Sequence, residues 1–196
     1  SNFGPENIAA CIVEPIAGST GTLVPPIGYL KRLREICDEH GILLVFDEVI
    51  TGFGRTGRGF AAETYGVTPD IITMAKALTN GAIPMGAVAV KDEIYDTVTN
   101  ASPENAIEFF HGYTYSGHPV AAAVALETLK IYEEEDILGH VQSVMGHYQE
   151  RLRSFTDHPL VGEVRGEGLI GATELVKNKE TKEAFAPAEN VGGIIS

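Results

Sequence analysis

The sequence is short of cations: 14 Lys and Arg stand against 27 Asp and Glu, a formal net charge of −13. A surface that acidic repels nucleic-acid phosphates and anionic lipid headgroups, which excludes nucleic acid and membrane surfaces as natural partners. Cysteine is nearly absent too. Cys11 and Cys37 are the only two, both inside apolar periodic segments and without Cys-x-x-Cys or other metal-ligand spacing. A disulfide scaffold is therefore excluded, and a reduced protein of the cytoplasm is expected. No apolar run reaches the roughly 18 to 20 residues that span a bilayer, and no basic and apolar leader opens the chain, so secretion is not expected. Internal repeats and low-complexity tracts are also missing.

What is present is a globular composition. Of 196 residues, 44% are hydrophobic and 21% charged, enough for one domain or for a large domain joined to a small one. The chain opens on Ser1, reaches an apolar strand pattern by Ile8 and stops at Ser196 after a glycine pair with no closing element. It reads as a piece of something longer.

Along the chain, the apolar run Ile8 to Val13 before Glu14-Pro15 predicts a buried strand. Leu30, Leu33, Ile36 and Cys37 recur at three and four between Pro26 and Gly41, which predicts an amphipathic helix with both stop signals. Ile42 to Phe46 is continuous and partly β-branched, as in a parallel strand covered on both faces. Gly52 to Gly59 is glycine-rich and leads to a short helical or irregular segment. Asp70 to Ala75 and Pro84 to Val90 predict two more strands. Residues 100 to 116 read as a long polar and aromatic loop. An Ala-rich helix is expected from Pro119 to Tyr132, a solvated junction at 133–136, and a second helix from Ile137 to Phe155. Beyond Pro159 the pattern turns to short strands of a separate small unit. The whole is an α/β alternation.

Three constellations could carry chemistry. Gly52-x-Gly54-x-x-Gly57 follows a predicted strand and matches the dinucleotide fingerprint, but no sustained helical period follows it and Asp47 and Glu48 lie just upstream. A turn that needs glycines is the stronger reading. Asp47 ends one predicted strand and Lys76 follows the next, so in an open parallel sheet both face the carboxyl edge, where ligands bind. Pyridoxal phosphate needs a lysine to form a Schiff base and an acid to keep its pyridine nitrogen protonated. A strand-end Asp capping a loop, with an exposed lysine nearby, explains the same spacing. The third is the hydroxyl-rich loop 111–118 before Pro119, which suits a phosphate, or equally helix capping by Ser116 or Thr114. Metal sites are not expected: His140 and His147 stand two turns apart, and Glu133 to Asp136 lacks the ligand alternation of a calcium loop.

Together, GILLVFDEVITGFGRTG, PDIITMAKALTNGAIPMGAV and HGYTYSGHPVAAA resemble the class III aminotransferases, fold-type I pyridoxal phosphate enzymes, and within them the omega-amino acid:pyruvate transaminases. The resemblance runs from about Ile8 to about Leu175. It implies the carboxyl half of a fold-type I large domain, a mostly parallel sheet flanked by helices, over 1–135. A connecting helix would follow over 136–157, then the start of a small α/β domain over 158–196. It implies that Lys76 links to the cofactor and moves the proton, that Asp47 pairs with the pyridine nitrogen, and that Val49 packs on the ring. Thr114 would reach the cofactor phosphate of a neighbouring subunit, so a homodimer is implied, and Glu14 would stand behind the groups that touch the cofactor. Ornithine and 4-aminobutyrate transaminases carry a glutamate where this chain has Ser19, which points to an omega-amino acid or amine as donor and pyruvate or a similar keto acid as acceptor. Two other readings stay open: an NAD(P)-binding oxidoreductase using Gly52, Gly54 and Gly57, and a catalytically inactive fragment that retains the fold.

Overall fold

A computed structural model describes residues 4–195. A four-stranded sheet is built from β1 (Ala10–Val13), β2 (Leu43–Asp47), β3 (Ile71–Met74) and β4 (Ala87–Val90) in that order. The first three strands are parallel, with Val13 opposite Phe46 and Asp47 opposite Thr73, and β4 returns antiparallel with Ile71 opposite Val90. This register sets the carboxyl ends of β1, β2 and β3 along one edge, so Glu14, Asp47 and the segment leading to Lys76 share it.

Helix α1 (Tyr29–His40) covers one face of the sheet because its apolar residues fall at three and four and its ends are sharply stopped. Gly41, at φ 65°, closes it by donating to the Cys37 carbonyl. Leu30 and Cys37 pack with Ile42, Leu44, Phe46 and Val67, and Ala62 and Tyr65 of the short helix α2 (Ala61–Tyr65) complete that core. Leu44 and Phe46 are fully buried, each worth about 1.5–3 kcal/mol of transfer free energy. A buried ion network fixes the strand starts. The Asp70 carboxylate accepts from the Leu44 amide at 2.7 Å, Arg34 at 2.7 Å and Lys91 at 2.6 Å, which ties β2, α1 and the end of β4 to β3.

Helix α3 (Asp92–Asn100) follows β4, and after a long loop come α4 (Pro119–Glu134) and α5 (Ile137–Arg153). The antiparallel hairpin of β5 (Val161–Glu167) and β6 (Ile170–Leu175) packs on α5. Gln149 is buried beneath it and donates to the carbonyls of Gly168 and Ile170. Two further bonds fasten the hairpin to the rest. Leu169 N–H donates to Arg55 O at 2.7 Å, and Arg165 donates to Gly21 O at 2.9 Å.

Several expectations need correcting. The strand read over Ile8 to Val13 is an edge strand with Ile12 62% exposed, because no described residue covers its outer face. Val88 on β4, on that same face by register, is 63% exposed. Only the middle of β2, Leu44 to Phe46, is covered on both faces as expected. Helix α3 is additional; its first turn carries Asp92 and Glu93, which favour a helix N-terminus. The junction at 133–136 is solvent-exposed, as expected, and Asp136 at its end also caps α5 by accepting from Gly139 N–H. Neither Ser116 nor Thr114 caps α4: His118 holds the cap position without a side-chain bond, while the Ser116 hydroxyl accepts from Tyr113 N–H within the loop. A short helix α6 (Val191–Ile195) stands where no closing element was expected, and Ser1 and Ser196 lie outside the described residues.

Candidate active site

Asp47 is the last residue of β2 and half buried at the carboxyl edge. Its Oδ1 accepts from the Val49 amide at 3.0 Å, a turn that fixes the carboxylate and the Val49 backbone together. Among the described residues no other hydrogen bond reaches this carboxylate, so Oδ2 is open to a proton donor.

Between these two residues Glu48 points the other way and is fully buried. Its Oε2 accepts from the Thr51 hydroxyl at 2.7 Å and the Ala61 amide at 2.7 Å, and its Oε1 from the Ala62 amide at 2.8 Å. Burial pushes this carboxyl up from its ordinary value, and the three donors pull it part of the way back. The arrangement disposes of the dinucleotide reading. In that motif a pyrophosphate occupies the helix N-terminus after the glycines, and here the Glu48 carboxylate already holds the first amides of α2. The glycines serve packing instead. A Cβ on Gly54 would lie 3.0 Å from Leu138 and one on Gly57 2.8 Å from the Met145 sulfur, both on α5.

Lys76 opens a 3₁₀ turn over Lys76–Leu78 just past β3, three residues beyond Thr73, the register partner of Asp47. Its φ is +44°, a conformation that side chains adopt at a cost, and strain of that kind gathers at functional sites. The surroundings hold it there. Lys76 O accepts from Thr79 N–H and Gly81 N–H, and the next carbonyl, Ala77 O, accepts from Tyr132 of α4 at 3.0 Å. Tyr132 stacks on Phe53 with ring centroids 6.1 Å apart. The Lys76 amine is exposed and, among the described residues, unpaired.

The structure thus brings Asp47, Val49 and Lys76 to one sheet edge. Glu14 lies on that edge one strand away, where it accepts from Gly18 N–H at 3.0 Å and steadies the loop that carries exposed Ser19. Thr114 stands apart, exposed in the loop before α4, with no described contact to the other four. Loop residues Tyr113 and Ser116 to His118 line a hollow of about 400 Å³ with Ile83 to Gly86, the stretch that follows Lys76. Sequence reasoning missed Glu48 and Tyr132. In the sequence Glu48 stands out only as a charge opposing a pyrophosphate near the glycines, and nothing in the local pattern links Tyr132 to a residue 55 positions earlier.

An unpaired amine and a carboxylate with one open oxygen, at the carboxyl edge of parallel strands, fit pyridoxal phosphate: the amine for its aldehyde carbon, the acid for its ring nitrogen. Among the described residues no group of His, Cys, Asp and Glu is arranged to hold a metal ion.

Comparison with known proteins gives the family. The class-III aminotransferase family model matches residues 2–196. The omega-aminotransferase of Caulobacter vibrioides is 56% identical over 86% of this chain and 38% of its own length. The putrescine–pyruvate aminotransferase of Pseudomonas aeruginosa is 52% identical over 93% of this chain and 39% of its own. Among solved structures, a thermostable (S)-enantioselective omega-transaminase from Thermomicrobium roseum superposes with a TM-score of 0.91 at 46% identity, over 97% of this chain and 42% of that one. The chain therefore spans about two fifths of the length of the relatives it matches. With a matched model over almost its whole length and a fold that superposes on a solved transaminase, this chain belongs to the class-III aminotransferases.

Proposed function

We propose that the whole protein is a pyridoxal-phosphate-dependent transaminase that moves an amino group from an omega-amino acid or amine to pyruvate or a similar keto acid. The observation that carries this is the open Asp47 oxygen and the unpaired Lys76 amine on one sheet edge. The names of the relatives support the acceptor: pyruvate stands in those of Pseudomonas proteins 52 to 55% identical to this chain. Within the proposed arrangement, 1–135 belongs to the cofactor domain, 136–157 connects, and 158–196 begins the small domain. The protein works as a homodimer in the cytoplasm.

When bound, the cofactor supplies an aldehyde that takes up the amino group and a ring that accepts electrons from the substrate carbon. The residues of this chain do the rest. Asp47, held by the Val49 amide, keeps a proton on the ring nitrogen through Oδ2. Val49 excludes water from one ring face. Lys76 would hold the cofactor through its amine, and that amine, when free, would carry the proton lost by the substrate carbon to the cofactor. Thr114 hydrogen-bonds the cofactor phosphate of the neighbouring subunit. Glu14 keeps the loop through Ser19 in place, and a serine there leaves no acid to engage a mobile arginine.

Adding pyridoxal phosphate to the full-length protein is expected to give a visible absorption band that Lys76→Ala abolishes, together with alanine formation from pyruvate and an omega-amino acid donor. A band that survives Lys76→Ala overturns the assignment of the lysine. Calorimetric titration with NAD is expected to give no heat, because Glu48 fills the position a pyrophosphate would need.

A further inference from the structure

Glu48 is fully buried, carries a carboxyl group and has no part in the reaction described above. Burying a carboxylate is costly unless its lone pairs are satisfied, yet the fold keeps one here, beside the two residues expected to touch the cofactor. Its surroundings account for it. The Glu48 amide donates to Thr73 O at 2.9 Å and extends the β2–β3 ladder by one residue. The side chains of Asp47 and Glu48 therefore point to opposite sides of the sheet, and the chain turns at Val49. The Glu48 carbonyl accepts from Gly52 N–H at 2.8 Å and begins the glycine turn. Its side chain is clamped by Thr51 and by the Ala61 and Ala62 amides. Residue 48 is thus fixed at its amide, its carbonyl and its carboxylate, and its neighbours inherit that fixity through the Asp47–Val49 turn at 3.0 Å.

We propose that Glu48 is a positioning residue for transamination, whose clamped carboxylate holds the turn that aims Asp47 and Val49 into the cofactor crevice. The proposal rests on the reading of Asp47 as the partner of the ring nitrogen. Without the Glu48 carboxylate only the backbone bonds to Thr73 and Gly52 hold the strand end, and Asp47 loses part of the orientation that lets its carboxylate accept from the ring nitrogen. The glycine-rich loop, which a motif reading assigns to a nucleotide, becomes the return path from Glu48 to the helix that clamps it.

A double-mutant cycle in the full-length protein tests this, with Glu48→Ala and Asp47→Asn alone and together. The readouts are pyridoxal phosphate affinity by absorbance titration and the pH midpoint of the visible band. Coupled neighbours are non-additive where independent ones add. Glu48→Ala is expected to weaken affinity about tenfold and to move the band midpoint while Asp47 is present, but to change affinity by less than about twofold in the Asp47→Asn background. Equal losses in both backgrounds mean a purely structural role and overturn the proposal, as does unchanged affinity in the first. Asp47→Asn matching the wild type in both readouts overturns the reading of Asp47 and this role with it. If Glu48→Ala does not fold, Glu48→Gln runs the same cycle. Its volume is kept, but a single oxygen must serve three donors, so the same pattern is expected at smaller amplitude.

Discussion

The Asp70 carboxylate, held by Arg34, Lys91 and the Leu44 amide, shows how much one side chain decides in this sheet. Burial alone would raise its pKa, but hydrogen bonds from Lys91, the Leu44 amide and Arg34 outweigh that cost and hold it at about 2, below the ordinary 3.8. Because the folded value is the depressed one, the stabilisation is fully present above the ordinary value and is lost as pH falls through about 2. The difference amounts to about 2 kcal/mol. Asp70→Asn is therefore expected to lower unfolding stability by about that much at pH 7. The deficit against wild type should shrink as the pH of a urea unfolding series falls from 4 towards 2. A deficit that stays constant over that range would mean the loss comes from packing and not from charge.

At the scale of elements, the joint between the hairpin and the glycine loop brings two backbones into close contact. A Cβ on Gly168, at φ +58°, would lie 2.3 Å from Arg55 O and 2.6 Å from the Thr56 backbone, whereas one on Gly41, at φ +65°, would meet nothing within 4 Å. Gly41→Ala should cost only the conformational penalty of about 1 kcal/mol. Gly168→Ala must also push the hairpin off the loop and break the Leu169–Arg55 bond, so it should cost about 3 kcal/mol or more. Melting temperatures of the two variants, compared with wild type, decide the point, and equal shifts would contradict this account of the joint. The contrast also marks what a sequence can show. Strands β2 and β3 and helices α1, α4 and α5 were legible because short apolar runs and three-four spacing are local signals with clear stops. The positions of Asp47 and Lys76 on the sheet edge were legible for the same reason, each following from the end of a readable strand. The roles of Glu48, Tyr132 and Gly168 depend on partners 13, 55 and more than 100 positions away, and no local pattern encodes a distant partner. Helix α3 was missed because its β-branched and aromatic residues dilute the helical signal and none is buried.

On the scale of the whole molecule, charge and covering pull in opposite directions. Net charge of −13 repels itself and weakens the compact state. Raising ionic strength from about 0.01 to about 0.15 M shortens the screening length from roughly 30 to roughly 8 Å and should raise the melting temperature. An unchanged or lower value would show that salt weakens the surface ion pairs by as much as it relieves repulsion. The outer face of the sheet is only partly covered by the described residues: Val45 in its middle is buried, while Ile12, Leu43, Val88 and Val90 on the same face are exposed. For the 196-residue chain taken alone, that face makes charge a colloidal stabiliser: like-charged particles stay apart although each carries an adhesive side. The sequence isoelectric point is near 4.8. Approaching it removes the repulsion while Asp70 and its partners still hold the sheet intact, so light scattering of the isolated chain should rise most steeply there, through association of folded molecules edge to edge and face to face.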